Sequence, residues 1–203
     1  MRIYKLLLFG TICSVLANCT GQTSSNYKTL DIKKFEVKYA WLLPIEGDSI
    51  QMYCLLGAGV DKIPMSKRTD SIVNYWVAQH PNAKVLPVTT TAYTYKDSRK
   101  PHTSIYCWVI QQNDTLNNYL VRNGCYAKKE MERNKTWEEV PEEKKRLEAE
   151  TTFPVSEYPL PKIEMLIDKK LDDNFMQQIT SAEKFAIKNK LGIWTDKETN
   201  ASR

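Results

Sequence analysis

Hydrophobic and polar residues alternate along several stretches of the chain, and this period of two is typical of β-strands. In residues 35–43, one side of the pattern is apolar or aromatic, which predicts a half-buried strand; its members are Phe35, Val37, Tyr39, Trp41 and Leu43. Glu46-Gly47-Asp48 predicts a turn into a second strand and then a possible third. Residues 83–95 are rich in β-branched and aromatic side chains, and residues 104–110 are continuously apolar, so two further strands are expected.

Three segments have the 3.6-residue period of helices. The first follows Asp70, a plausible N-cap, and stops before Pro81. The second follows Asp114, its predicted N-cap, and ends at Gly124, where a left-handed residue is expected. The last covers about 172–190 and has an apolar stripe that predicts packing on a sheet, made of Phe175, Ile179, Ala182 and Ala186.

Residues 128–174 differ in kind from the rest of the chain, because they are rich in charge and then in proline. They predict a short exposed helix near 142–150, followed by an extended wrap. Without this insertion, the order of elements is strands, helix, two strands and two helices. That order predicts an α+β fold, a five-stranded OB-type β-barrel with packed helices.

The N-terminus carries an export signal. Residues 1–19 read MRIYKLLLFGTICSVLANC, with two cations ahead of an apolar run that is shorter than the ~20 residues of a membrane span. The last four residues resemble a bacterial lipobox, which predicts a signal peptide over 1–18 and lipid attachment at Cys19. The alternative is an ordinary cleaved signal in which Cys19 is incidental. A lipidated N-terminus and polar linker at 19–33, a domain at 34–195 and a polar tail at 196–203 complete the predicted organisation.

Charge and cysteine content change this picture little. Cleavage after residue 18 leaves 27 basic and 24 acidic residues, a net charge of +3, which is too small to identify a partner. The cysteines beyond Cys19 are Cys54, Cys107 and Cys125. In an oxidising envelope two of them could form a disulfide, and buried free thiols are the alternative.

Two stretches near the C-terminus resemble the signature sequences of the staphylococcal-nuclease-like, or thermonuclease, family. TLNNYLVRNGCYA, residues 115–127, matches the first at Leu116, Asn117, Leu120, Val121, Gly124 and Ala127. SAEKFAIKNKLGIWT, residues 181–195, matches the second at Ala182, Glu183, Ala186, Leu191, Gly192, Ile193 and Trp194. The resemblance implies that Gly192 ends the last helix and that Ile193 and a buried Trp194 fold back onto the barrel.

Active members of that family use calcium, a carboxylate that activates water, and two arginines that stabilise phosphoryl charge. Here Asp48 and Asp61 are candidate calcium ligands, although both are also ordinary turn residues. Other positions depart from the pattern. The chain has Cys54 and Met65 where arginine and glutamate are expected, and Thr103 or Ser104 in place of the second arginine.

Arg68 and Arg99 are the remaining candidates for catalytic cations. Because the loss of one charge stabiliser typically costs on the order of a hundredfold in rate, the sequence favours a non-hydrolytic module. No cofactor is expected, and calcium is expected only if the protein is an active nuclease.

Three functions follow from these observations. The first is a lipid-anchored binding or interaction module of the bacterial cell envelope, with the membrane as one partner and an envelope protein, glycan or nucleic acid as another. The second is a divergent calcium-dependent nuclease acting on DNA or RNA. The third is a structural subunit of an envelope assembly, with residues 153–161 as a docking strand.

Overall fold

A computed structural model describes residues 27–46, 51–57, 66–93, 102–143, 145 and 162–195 of the chain. These residues form an α+β fold in which a curled, half-barrel mixed sheet is accompanied by three helices. The predicted α+β class is therefore confirmed. The predicted signal peptide, lipid site and polar tail lie outside the described residues.

The sheet contains eight strands in the described residues. They are β1 Leu30–Asp31, β2 Phe35–Lys38, β3 Trp41–Pro44, β4 Gln51–Cys54, β5 Lys84–Tyr93, β6 His102–Gln111, β7 Asp114–Thr115 and β8 Lys162–Met165. Their order is β1-β5-β6-β4-β3-β2, with β7 paired to β6 and β8 paired to β5. The helices are α1 Lys67–Gln79, α2 Leu116–Arg122 and α3 Lys169–Lys188.

The strands at the two edges of this sheet, β1 and β2, are joined by a very short segment of chain. β1 pairs with β5 and β2 pairs with β3, yet a single 3-10 helix, Ile32–Lys34, separates β1 from β2. Within it, Ile32 N donates to Ala83 O at 3.2 Å. The sheet must therefore curl, because its first and last strands are consecutive in sequence.

The predicted single strand over 35–43 is wrong, since the chain reverses within it. Tyr39 has φ +55°, and Lys38 pairs with Trp41 across a two-residue turn between β2 and β3. The reversal shifts the phase of the alternation. Leu42 is consequently buried, whereas Leu43, predicted to share the inward face, is 43% exposed.

All three predicted helices are present, but the N-caps of α1 and α2 are not the predicted Asp70 and Asp114. Ser66 Oγ accepts from Thr69 N at 3.0 Å and starts α1, and Thr115 Oγ1 accepts from Asn118 N at 3.0 Å and starts α2. Asp168 caps α3 through Leu171 N at 2.8 Å. Asp70 instead lies in the first turn of α1, where its Oδ1 accepts from Tyr39 N at 3.3 Å.

A buried amide ties α2 to the sheet. Asn117 is fully buried, and its Oδ1 accepts from Val109 N at 3.0 Å. Its Nδ2 donates to Leu55 O at 2.9 Å and to Cys107 O at 3.1 Å. One side chain thus satisfies backbone groups on β6 and at the end of β4, which fixes where α2 begins.

The predicted apolar stripe of α3 is buried, at Phe175, Ile179, Ala182 and Ala186. The Phe175 ring stacks on Trp108 of β6 with the ring centroids 3.8 Å apart. Aromatic stacking adds to the free energy of area burial. This contact places α3 against β6.

The predicted insertion contains more regular structure than its composition suggested. Residues 128–143 include two 3-10 helices, Lys128–Met131 and Trp137–Glu139. The part of the predicted extended wrap that the structure describes includes β8, which pairs antiparallel with β5. Most of the predicted helix over 142–150 lies outside the described residues, as does 153–161, and α3 begins inside the predicted insertion.

Candidate functional site

Two glycines bring the ends of α2 and α3 into contact. Gly124 has φ +67° and Gly192 has φ +55°, in the left-handed region that favours glycine. A Cβ on Gly124 would lie 2.0 Å from Leu191 O, and one on Gly192 would lie 2.0 Å from Gly124 O. Ile193 N donates to Gly124 O at 2.9 Å. We call this contact the glycine clamp; both of its glycines belong to the signature stretches.

Glu183 and Trp194 are two further residues of the second signature stretch. Glu183 of α3 accepts a hydrogen bond from Lys128 N through Oε1 at 2.8 Å, and so fixes the chain that follows α2. Trp194 is half-buried rather than buried, and Ile193 is 42% exposed. The predicted burial of Trp194 is therefore wrong. The tail is held through the Ile193 backbone, which bonds to the end of α2, together with the partly buried Trp194 side chain.

The two positions at which the family resemblance expects arginine hold no cation. Cys54, at the end of β4, is buried and its Sγ donates to Leu56 O at 3.2 Å. Burial raises the pKa of this thiol to about 12, so it is neutral at physiological pH. Thr103 and Ser104 are half-buried on β6, where they pair with Gln51 and Met52 of the parallel strand β4.

The remaining cysteines are also free thiols in the described part of the chain. Cys107 and Cys125 are buried like Cys54. Burial raises the pKa of both thiols. The alternative of buried free thiols, rather than a disulfide, is what the structure has.

Of the candidate catalytic and metal residues, the structure describes Arg68. It is exposed on α1, and its Nη2 donates to Asn123 O at 3.4 Å, which places the guanidinium at the C-terminal end of α2 beside the clamp. Asp48, Asp61, Met65 and Arg99 lie outside the described residues. Within the described ranges, no group of three or more histidine, cysteine, aspartate or glutamate residues could hold a metal ion.

A small cleft of about 180 Å³ lies where β2, β3 and β4 meet. Its lining residues are Leu30, Lys34, Phe35, Pro44, Glu46, Gln51 and Tyr53. The Phe35 and Tyr53 rings meet edge to face at 5.1 Å, and Tyr53 OH donates to Gln51 Oε1 at 3.0 Å. Partial burial raises the pKa of Tyr53, so its phenol stays a hydrogen-bond donor at neutral pH.

A larger cavity of about 400 Å³ lies between α2 and α3, next to the clamp. Its lining residues are Asp114, Asn118, Tyr119, Arg122, Asn123 and Phe185. The Arg122 guanidinium carbon lies 4.5 Å from the centre of the Phe185 ring. We call it the α2–α3 cavity.

Sequence reasoning missed the α2–α3 cavity, although a signal was present. Asp114, Asn118 and Arg122 recur every four residues and so share one face of α2 and the turn before it. Asn118 and Arg122 lie inside the first signature stretch, between its apolar positions, and Asp114 directly precedes it. The pattern could not show that α3 faces the stripe.

Comparisons with family models, with curated proteins and with solved structures find no match for this chain. None of the helices in the described ranges is long and apolar enough to cross a membrane.

Proposed function

We propose that this protein is a lipid-anchored module of the bacterial cell envelope, with a five-stranded barrel of the staphylococcal-nuclease-like type, that binds a ligand without hydrolysing phosphodiesters. The anchor is Cys19, on the strength of the lipobox-like motif before it. The binding role rests on the two cavities and on the absence of cations at the arginine positions, Cys54 and Thr103 or Ser104.

The strand order supports the barrel. β1 and β2, interrupted by one 3-10 turn, serve as a single first strand that pairs with β5 on one part and β3 on the other. With β3, β4, β5 and β6, this gives five strands, closed through the parallel pairing of β4 with β6. The short strands β7 and β8 are additions to this set. The glycine clamp supports the family proposal, because it joins the two signature stretches.

The burial of Cys54 is the main observation in favour of a protein that does not hydrolyse phosphodiesters. A nuclease of this type needs a guanidinium group beside the scissile phosphate. The corresponding side chain is here a neutral thiol enclosed in the core, with a pKa of about 12. Thr103 or Ser104 supplies a hydroxyl group in place of the second positive charge, and a hydroxyl group cannot neutralise a phosphoryl oxygen.

A digestion assay tests this proposal. The purified protein, incubated with DNA and with RNA in millimolar calcium, is expected to leave both intact under conditions in which an active thermonuclease digests them. Arg68→Ala combined with Arg99→Ala is the matched variant. Calcium-dependent cleavage by the parent that disappears in this double variant would show that these arginines have taken over the catalytic role, and would refute the proposal.

A further inference from the structure

The α2–α3 cavity carries opposite charges at its two ends. Asp114 lies just before α2, and Arg122 lies in the last turn of α2. Asn118 lies between them, four residues from each. Both charged side chains are exposed, and neither forms an ion pair with a described residue. A ligand that satisfies both ends must itself be dipolar.

The end near Asp114 carries an exposed negative charge. Asn118 Nδ2 donates to Asp114 Oδ1 at 3.2 Å, and Thr115 N donates to the same oxygen at 2.8 Å. These bonds orient the Asn118 amide and leave its Oδ1 buried without a hydrogen-bond partner. A ligand ammonium group would be attracted to the exposed Asp114 carboxylate, which these bonds hold beside Asn118.

At the other end of the cavity, the Arg122 guanidinium is positioned to bind an anion. The guanidinium lies over the Phe185 ring at 4.5 Å, which holds it by a cation–π contact and reduces the side-chain entropy lost on binding. Its N–H edge can bind a carboxylate in a bidentate manner. Tyr119, half-buried beside it, adds apolar surface to the cavity.

The spacing of the two ends limits the ligand size. Asn118 and Arg122 are one helical turn apart, about 6 Å along the axis. The free termini of a peptide of two residues are separated by about 7 Å, since an extended chain advances ~3.3 to 3.6 Å per residue. The cavity volume of about 400 Å³ lies within the ~300 to 1,000 Å³ of small-molecule sites.

We propose that the α2–α3 cavity binds a short peptide with free termini, about two residues long, with its ammonium group at the Asp114 carboxylate, beside Asn118, and its carboxylate at Arg122. An apolar side chain of the peptide packs on Tyr119 and Phe185. This inference rests on the proposed binding role and names a ligand class for it. It requires neither nuclease activity nor the lipid anchor.

Calorimetric titration of the purified protein with alanyl-phenylalanine tests the proposal. The free dipeptide is expected to bind, and N-acetylation or C-amidation is expected to weaken binding at least tenfold, because each removes one charge. Arg122→Gln is expected to lose the discrimination between the free and the amidated peptide. Asp114→Asn, which keeps an oxygen for Thr115 N, is expected to lose the discrimination between the free and the acetylated peptide. Lys170→Gln, an exposed change at the far end of α3, is the matched control and is expected to bind like the parent.

Equal affinity for the free and blocked peptides, or unchanged discrimination in Arg122→Gln, would overturn the proposal. No heat of binding with the free peptide would do the same.

Single-stranded DNA is titrated in parallel. If the protein binds DNA but not the peptide, and Arg122→Gln abolishes the binding of DNA, the cavity is a nucleic-acid site and the peptide proposal is wrong. The digestion assay on the same sample keeps the two proposals apart: intact DNA with no peptide binding refutes the ligand class alone, whereas cleaved DNA refutes the non-hydrolytic function.

Discussion

Gly124 and Gly192 are each required for two reasons. The backbone is left-handed at both positions, and another segment of the chain approaches each of them closely. The sequence predicts the left-handed backbone, because each glycine follows the last apolar position of a helix. The close approach was not predictable from the local pattern, since it depends on the two helix ends meeting. The structure shows that a Cβ at either site would lie 2.0 Å from a carbonyl oxygen of the partner segment.

Gly124→Ala is therefore expected to destabilise the protein by at least about 2 kcal/mol, because a left-handed residue with a Cβ costs roughly 1 to 2 kcal/mol and the steric clash adds to it. Chemical denaturation of the parent and the variant measures this difference. The control is Gln112→Gly, since Gln112 has φ +54° in an exposed turn. It is expected to be neutral or stabilising by up to about 1 kcal/mol. A Gly124→Ala protein as stable as the parent would contradict the clamp.

At the scale of elements, an arginine joins the segment after α2 to α3. Arg133 Nη1 and Nη2 donate to the two carboxylate oxygens of Glu139 at 2.6 Å each. Its Nε donates to Asp172 Oδ2 of α3 at 2.9 Å. In the sequence, these residues belong to a charge-rich stretch that predicts exposed side chains. In the structure, only 9% of the Arg133 side chain is exposed.

The hydrogen bonds from Arg133 lower the pKa of Glu139 from 4.5 to about 2. A folded-state pKa below the unfolded value means that the stabilisation is fully present above pH ~4.5 and is lost as the pH falls towards 2. Glu139→Gln is expected to lower the free energy of unfolding by about 1 kcal/mol at pH 7, a value reduced for the solvent exposure of the carboxylate.

Denaturation of parent and variant at several pH values checks this expectation, with Glu143→Gln, a change to an exposed glutamate, as the control. The difference between the parent and Glu139→Gln should shrink between pH 4.5 and pH 2. A difference that stays constant over that range would mean that the ion pair does not stabilise the fold.

The β2–β3 hairpin shows why elements were only partly predictable. An alternating pattern predicts extended backbone equally well for one long strand and for two short ones, and Tyr39 is not a residue that usually marks a turn. The reversal depends on tertiary contacts, including the bond from Tyr39 N to Asp70 of α1. The N-caps shifted for a simpler reason, because Ser66 and Thr115 lie close to the predicted caps and serve equally well.

For the whole molecule, the succession of strands and helices was predictable, and the α+β class followed from it. The α2–α3 cavity was not, because it requires Phe185 of α3 to approach residues of α2 that lie more than 60 positions earlier in the sequence. The family proposal rests on residues that the structure brings together at the clamp. The burial of Cys54 could not be read from its neighbours, since a cysteine after a β-strand is common both in cores and on surfaces.

The proposed lipid anchor leads to a prediction for the whole chain. Replacement of Cys19 by serine removes the thiol that acylation requires, so the Cys19→Ser protein is expected to leave the membrane fraction or to remain unprocessed. Fractionation of cells expressing either form, followed by immunoblotting, measures the distribution. If the variant is processed and fractionates with membranes as the parent does, the anchor is not at Cys19.

The alkylation of Cys54 tests the central claim most directly, because the proposed loss of hydrolysis rests on a buried neutral thiol at the position where the resemblance expects a catalytic arginine. The folded protein is treated with iodoacetamide at pH 8, and modified cysteines are located by mass spectrometry, with a denatured sample as the reference. With a pKa of about 12 and 1% exposure, Cys54 is expected to remain unmodified in the folded protein and to react fully after denaturation. Rapid alkylation of Cys54 in the folded protein would place this position at the surface and contradict the account.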